Sequence, residues 1–379
     1  MKVLISCGGT GGHINPALAI ADIIKSKYPD AEFLFAGTPN GMEAKLVPKA
    51  GYKLETIKAA GFQRKVSLEN VKRNIKAATY LMMSGKRSRE IIENFSPDIA
   101  IGTGGYASGA VIRKAARMGI PSAIHEQNAF PGVTNKLLAK EVDYVMLTVI
   151  EALDFMDKEK FEYSVTGLPV RSSINHITRA EARKKLGFNN DFTILSFGGS
   201  LGAGCINDTM TETIKWHTKN NLKINHIHGY GGMGKETFPQ AMKAAGIPLK
   251  SDRLRITEYI NDMDVCLAAA DLVICRSGAS TLAELEAAGK ASILIPSPIV
   301  AGNHQYHNAM VLGKAGAAVV IEQKDVTNEK IISEIEKLYK DPDKVTAMSH
   351  SAGELHLKDT NKRILDVIDK LYEKSKNKK

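Results

Sequence analysis

The sequence predicts an α/β protein made of two similar halves, each a parallel sheet covered by helices on both faces. Three observations lead there. An apolar strand running into a glycine-rich turn and then a helix is written twice. Val3-Leu4-Ile5 leads into Gly8-Gly9-Thr10-Gly11-Gly12 and a helical stretch from Pro16 to Lys27, and Thr193-Ile194-Leu195-Ser196-Phe197 leads into Gly198-Gly199-Ser200-Leu201-Gly202 and a second helix. Strand patterns alternate with helical ones throughout, as parallel sheets require. Each half also carries a further strand–loop–helix unit: Ile99-Ala100-Ile101 into Gly104-Gly105-Tyr106-Ala107-Ser108-Gly109, and Leu272-Val273-Ile274 into Arg276-Ser277-Gly278-Ala279-Ser280.

Each element has a local reason. In the glycine turns the backbone can approach a ligand closely, and the free N–H groups and positive dipole end of the following helix favour an anion such as a diphosphate. Thr166-Gly167-Leu168-Pro169 interrupts the alternation and reads as a hinge. The expected domains are therefore 1–165 and 166–340. A polar, amphipathic segment, 341–379, with helical spacing at Ile364, Leu365, Ile368 and Leu371, is expected to pack back along the molecule.

Composition narrows the class. The chain has 379 residues, of which 44% are hydrophobic and 24% charged, enough to build two cores. Cys7, Cys205, Cys266 and Cys275 are scattered, with no metal-type spacing, and are expected as reduced thiols in a cytoplasmic protein. The apolar run before the first glycine turn is too short for a signal-peptide core, and no run reaches the roughly 20 residues of a membrane span. The net charge of +10 is compatible with nucleic acid, an anionic bilayer or simple solubility and does not choose among them. Between Val66 and Arg89 the bases Lys72, Arg73, Lys76, Lys86, Arg87 and Arg89 interleave with Leu68, Val71, Ile75, Leu81, Met82 and Met83. That pattern reads either as an element lying on a membrane surface or as a surface helix with its apolar stripe in the core. The lysines from Lys374 to Lys379 read as a solvated end.

Several chemistries are disfavoured. Gly8 to His13 lacks the G-x-G-x-x-G spacing, and no acidic residue follows at the distance needed to hold an NAD ribose. No G-x-x-x-x-G-K-[ST] is present. Asp262-Met263-Asp264 matches a D-x-D metal pattern but reads better as a helix start. In Ser277 to Glu284, small residues gather at a helix start and Glu284 lies one turn beyond Ser280. The carboxylate there either accepts two ribose hydroxyls or is an exposed glutamate behind a capped helix start.

The company of these motifs resembles glycosyltransferase family 28. The blocks are Gly8-Gly9-Thr10-Gly11-Gly12-His13-Ile14-Asn15-Pro16-Ala17, Gly104 to Gly109, His125-Glu126-Gln127-Asn128, Thr134-Asn135-Lys136-Leu137-Leu138-Ala139, Gly198-Gly199-Ser200, Cys275-Arg276-Ser277-Gly278-Ala279 and His304-Gln305-Tyr306-His307-Asn308-Ala309. They run in the family's order over roughly 5–320. Leu201 departs from the family pattern, in which glutamine commonly follows the loop serine.

The resemblance implies a GT-B fold, two Rossmann-like doubly wound domains facing a cleft. It also implies transfer of N-acetylglucosamine from UDP-GlcNAc to undecaprenyl-linked lipid I, with inversion, in peptidoglycan synthesis. By analogy the Ile260 backbone meets uracil, Glu284 the ribose, and Ser200 with the helix start Ala279, Ser280, Thr281 and Leu282 the diphosphate, with Arg171 nearby. Gln305 and Asn128 meet the sugar, and Thr10, Gly11 and Gly12 close from the first domain. Gly104, Gly105, Tyr106, His125 and Asn135 belong to the acceptor side. His13 reads as a general base or as a capping or acceptor-binding histidine, with Glu126 the fallback base. No metal and no cofactor are implied. The implied partners are UDP-GlcNAc, lipid I, an anionic membrane surface at the cytoplasmic face and other cell-wall synthesis and division proteins, but not nucleic acid. Other readings share much of this pattern: another UDP-sugar enzyme, either a lipid glycosyltransferase with a different acceptor or a UDP-GlcNAc 2-epimerase, and a non-catalytic sugar-nucleotide-binding protein.

Overall fold

The computed structural model describes residues 1–58 and 84–378. The chain divides into two compact units, 1–169 with 359–379, and 170–358. The first is built on seven strands: β1 (Lys2–Cys7), β2 (Glu32–Gly37), β3 (Lys53–Thr56), β4 (Ile99–Gly104), β5 (Ser122–Glu126), β6 (Tyr144–Leu147) and β7 (Glu162–Val165). All pair in parallel, in the order β3-β2-β1-β4-β5-β6-β7. Among the described residues its helices are α1 (Gly11–Lys27), α2 (Glu43–Lys49), α3 (84–95), α4 (Tyr106–Arg117) and α5 (Val133–Leu138). The central strands are apolar without alternation because both faces are covered. Val3 and Ile5 of β1 pack on the α1 face with Ile14, Ala17, Ile20 and Ile24. Leu4, between them, points to the α4 face with Ala107, Val111 and Ala115.

The second unit has six strands: β8 (Phe192–Phe197), β9 (Ile224–Gly229), β10 (Leu254–Thr257), β11 (Leu272–Cys275), β12 (Ala291–Leu294) and β13 (Ala318–Val320). They too are parallel, in the order β10-β9-β8-β11-β12-β13. The helices are α6 (Arg179–Leu186), α7 (Gly204–Lys219), α8 (Thr237–Ala244), α9 (Met263–Ala269), α10 (Ala279–Ala287), α11 (His304–Lys314), α12 (Asn328–Lys340) and α13 (Pro342–Leu355). Ile194 and Leu195 of β8 face opposite cores, again one on each side of the sheet. In both sheets the strand order reverses beside the first strand of the unit, between β1 and β4 and between β8 and β11. Loops diverge at the carboxyl ends there, and ligands bind in such crevices.

The chain then returns to the first unit as α14 (Thr360–Lys376), whose Ile364, Ile368 and Leu371 are fully buried in the α1 core. Tyr28 Oη donates to Asp369 at 2.7 Å, and Lys374 pairs with Asp143 at 2.5 Å. The expected single tail, 341–379, is thus divided. α13 belongs to the second unit, where Ser349 Oγ accepts from the Ala291 N–H, and the break at His356-Leu357-Lys358 separates it from α14. The expected boundary at 165 lies instead after Pro169. Thr166 and Gly167 still donate their N–H groups to the Leu147 carbonyl, and Leu168 is buried.

Most of the basic element expected between Val66 and Arg89 lies outside the described residues. Within them, Arg87 pairs with Glu55 and Glu90, and Arg89 pairs with Glu93.

Candidate functional site

At the carboxyl edge of the first sheet, the loops after β1, β4 and β5 meet. The turn after β1 is held from behind by Glu43, a fully buried carboxylate to which no role attaches in the sequence motifs. It accepts from the Gly9 N–H at 3.1 Å and from both the N–H and the hydroxyl of Thr38. Burial alone would raise the Glu43 carboxyl, but these donors outweigh it and hold the group below its ordinary value. Gly105, at φ +89°, packs on the Gly8 backbone so closely that a Cβ would lie 2.4 Å from the Gly8 carbonyl oxygen. Thr10 is the exposed N-cap of α1, and Ile14 is the first residue whose N–H closes onto the Thr10 carbonyl in the helical i−4 pattern. The Gly11 and Gly12 N–H groups therefore stand at an open helix start.

His13 lies beside Gly104, where a Cβ would come within 2.8 Å of the imidazole. Its backbone carbonyl accepts from Thr103 Oγ1 at 2.8 Å, and its Nδ1 is 3.0 Å from Gln127 Oε1. Gln127 Nε2 donates to the His125 carbonyl at 2.7 Å and lies 3.1 Å from His125 Nδ1. His125 Nε2 is 3.0 Å from the Gly167 carbonyl. Burial pushes the His125 imidazole below its ordinary value, so it is a neutral, orienting ring.

Glu126, the fallback base, is buried and accepts from several donors. Asn128 N and Nδ2 bond Oε1, while Gly132 N and Asn135 Nδ2 bond Oε2. Both oxygens are taken up in fixing the 127–132 loop, which suits an organiser better than a base. Tyr106 is exposed at the start of α4. Beside it, Tyr106, Ala110, Leu137 and Leu138, with Arg113, Lys114, Arg117 and Lys140, line a cavity of about 650 Å³.

In the second unit, Arg171, Ser200, Ile260, Thr281 and Glu284 line one hollow of about 150 Å³ with Tyr259 and Gly229. Ile260 is buried against Gly229, so its side chain forms a wall of the hollow. Arg171 is bonded to Glu284 itself, Nε to Oε1 at 2.7 Å and Nη2 to Oε2 at 2.9 Å. Ala279, Ser280 and Thr281 open α10, and Leu282 follows them with its side chain buried and its N–H donating to the Gly278 carbonyl. A second hollow of about 400 Å³ is lined by Gly199, Cys205, Arg276, Thr281, Gln305 and Gln323 among others. Gln305 Oε1 accepts from the Ser297 N–H, and its carbonyl accepts from Ser277 Oγ, so both ends of this side chain's residue are fixed to flanking loops. The start of α7 at Gly204 also faces this hollow.

Asp262-Met263-Asp264 sits at the start of α9, with Asp262 bonded twice to Arg255. Among the described residues, no group of acidic, histidine or cysteine side chains is arranged to hold a metal, and no helix is long and apolar enough to cross a membrane. All four cysteines are unpaired.

The chain is similar to known proteins over nearly its whole length. The model of the glycosyltransferase family 28 N-terminal domain matches residues 3–147, and that of the family 28 C-terminal domain matches 193–364. A protein of Acetivibrio thermocellus is 45% identical over 97% of this chain and 97% of its own length, and one of Desulforamulus reducens is 42% identical over 98% and 99%. Both are named UDP-N-acetylglucosamine–N-acetylmuramyl-(pentapeptide) pyrophosphoryl-undecaprenol N-acetylglucosamine transferase. The crystal structure of Acinetobacter baumannii MurG superposes with a TM-score of 0.77 at 27% identity, over 97% of this chain and 99% of that one. A UDP-N-acetylglucosamine 2-epimerase structure superposes at 0.61 with 14% identity, over 96% and 94%, and shares the fold alone.

Proposed function

Because the chain belongs to glycosyltransferase family 28, we infer that it transfers N-acetylglucosamine from UDP-GlcNAc to undecaprenyl-diphosphate-linked N-acetylmuramyl-pentapeptide, giving lipid II and UDP in peptidoglycan synthesis. The fold is the corresponding GT-B type, with two parallel-sheet Rossmann-like domains. The observation that carries the assignment is full-length identity of 42–45% to transferases of this name, which the epimerase likeness at 14% does not match.

The donor is read by the second domain. The Ile260 backbone takes the uracil, Glu284 the ribose hydroxyls, and the helix starts at Gly204 and Ala279, with Ser200, the diphosphate. Gln305 takes the sugar, as does Asn128 from its own domain. These preorganised N–H groups and helix dipoles stabilise the leaving UDP. The muramyl 4-hydroxyl attacks the anomeric carbon with inversion as the bond from that carbon to the diphosphate oxygen breaks, and the electron pair leaves with UDP. His13 Nε2 takes the hydroxyl proton. The partly exposed ring at an open helix start supports that role, and the fully engaged Glu126 does not compete for it.

The cavity of Tyr106, Leu137, Arg113, Lys114, Arg117 and Lys140 pairs apolar walls with a rim of four bases against one acid, Glu141, which is bonded to Arg113 and Arg117, and the remaining positive charge supports peripheral docking on an anionic membrane at the side from which a lipid-linked acceptor is presented.

The test is UDP release from UDP-GlcNAc with and without a soluble lipid I analogue, in EDTA. Acceptor-dependent release with a disaccharide product is expected. Release without acceptor would favour an epimerase, and tight binding without release a non-catalytic role.

A further inference from the structure

We infer that Gln127 is a positioning residue for the transfer: it holds His13 in the tautomer that carries its proton on Nδ1 and presents the Nε2 lone pair outward. The inference rests on the proposed role of His13 as the base.

A backbone carbonyl, which can only accept, fixes the orientation of the Gln127 amide. The His125 carbonyl oxygen lies 2.7 Å from one terminal atom of the Gln127 amide. An oxygen there would set two acceptors against each other with no proton between them, so this atom is the NH2 and the other is the carbonyl oxygen. That oxygen faces His13 Nδ1 at 3.0 Å and can only accept. His13 must therefore donate from Nδ1.

The rest of the chain closes consistently. The second Gln127 N–H points at His125 Nδ1, 3.1 Å away, which must accept. His125 therefore carries its proton on Nε2, where the Gly167 carbonyl, 3.0 Å away, accepts it. A run of backbone carbonyls and one buried amide thus fixes the tautomers of two histidines, and Gln127 and His125 have almost no solvent exposure through which water could substitute.

The same arrangement serves the imidazolium that forms when Nε2 takes a proton. Nδ1–H already donates to Gln127, so no partner has to turn during the step. A ring in the other tautomer would point N–H at the acceptor hydroxyl and could not remove its proton.

The test is the long-range proton–nitrogen NMR pattern of His13 in the full-length protein, assigned by its disappearance in His13→Asn. The Nδ1–H tautomer is expected in the native protein, and a mixture in Gln127→Met, which keeps length and removes the amide. Turnover of Gln127→Met should fall by about 10-fold or more, short of the roughly 10²-fold or more expected for His13→Ala, with KM for UDP-GlcNAc changed less than about two-fold. An Nε2–H tautomer in the native protein overturns the inference whatever the variants do, and so does a Gln127→Met protein with native turnover beside a crippled His13→Ala. Near-native turnover in His13→Ala would instead overturn the base assignment, and with it this role for Gln127.

Discussion

Arg171 and Glu284 form a two-point ion pair in which the carboxylate proposed for the ribose is already engaged by the guanidinium. The pair is half open to solvent on the arginine side, so its own contribution to stability is small, about 0–1 kcal/mol. Its use is orientation: a bidentate arginine fixes the carboxylate plane and leaves the outer lone pairs for two hydroxyls. Glu284→Ala should therefore raise KM for UDP-GlcNAc by roughly 10- to 100-fold, the loss of one or two hydrogen bonds to a charged acceptor. The melting temperature should hardly move. Steady-state kinetics beside a thermal melt checks this, and an unchanged KM would remove Glu284 from the ribose.

Glu126 is predicted to act through structure. In Glu126→Gln one oxygen becomes an NH2 that must face either the Asn128 donors or those of Gly132 and Asn135. A buried donor set against donors should cost roughly 2–4 kcal/mol, and turnover should fall together with stability. A variant that melts like the native protein but has lost turnover would restore Glu126 as a candidate base.

Gly104→Ala tests the seat of His13. The backbone there is at φ +114°, and the added methyl would lie 2.8 Å from the imidazole. The expected outcome is a drop in turnover of about 10-fold or more with unchanged UDP-GlcNAc binding, because the displaced ring belongs to the first domain and the hollow proposed for the nucleotide to the second. Calorimetric titration of the donor separates the two quantities.

The strands and glycine turns were legible in the sequence because each is a local pattern, and the pattern is repeated. What escaped depends on contacts between distant residues. Glu43 belongs to none of the sequence motifs, and only the fold carries it 34 positions back to the Gly9 N–H. Gln127 stands in plain view between Glu126 and Asn128, yet its task appears only when α1 brings His13, 114 positions away, to its amide oxygen. The division of 341–379 was hidden for a similar reason: α13 and α14 are both amphipathic, and periodicity does not say which core an apolar stripe will cover.

The second domain should be weakened by acid through three histidines on one side of its sheet. His226 and His228 of β9 share the Ser196 hydroxyl at 2.8 Å each, and His217 of α7 lies 3.2 Å from His226. Burial pushes His217 down to about 4 and His228 to about 3, and holds His226 well below its ordinary value with its neighbours' help. The unfolded chain titrates all three near 6.5, so below that pH it binds protons the folded domain refuses. Stability should be full above about 6.5 and fall steadily as pH drops toward 4, with each unit of pKa separation worth about 1.4 kcal/mol. Trp216, the only tryptophan, sits next to His217 on α7 and reports this domain's unfolding. Urea melts followed by its fluorescence from pH 7.5 to 4.5 should show a falling midpoint. His228→Phe, which keeps a ring to stack on Phe238, should make that fall shallower, and an equal slope in both proteins would show that His228 has no share in it.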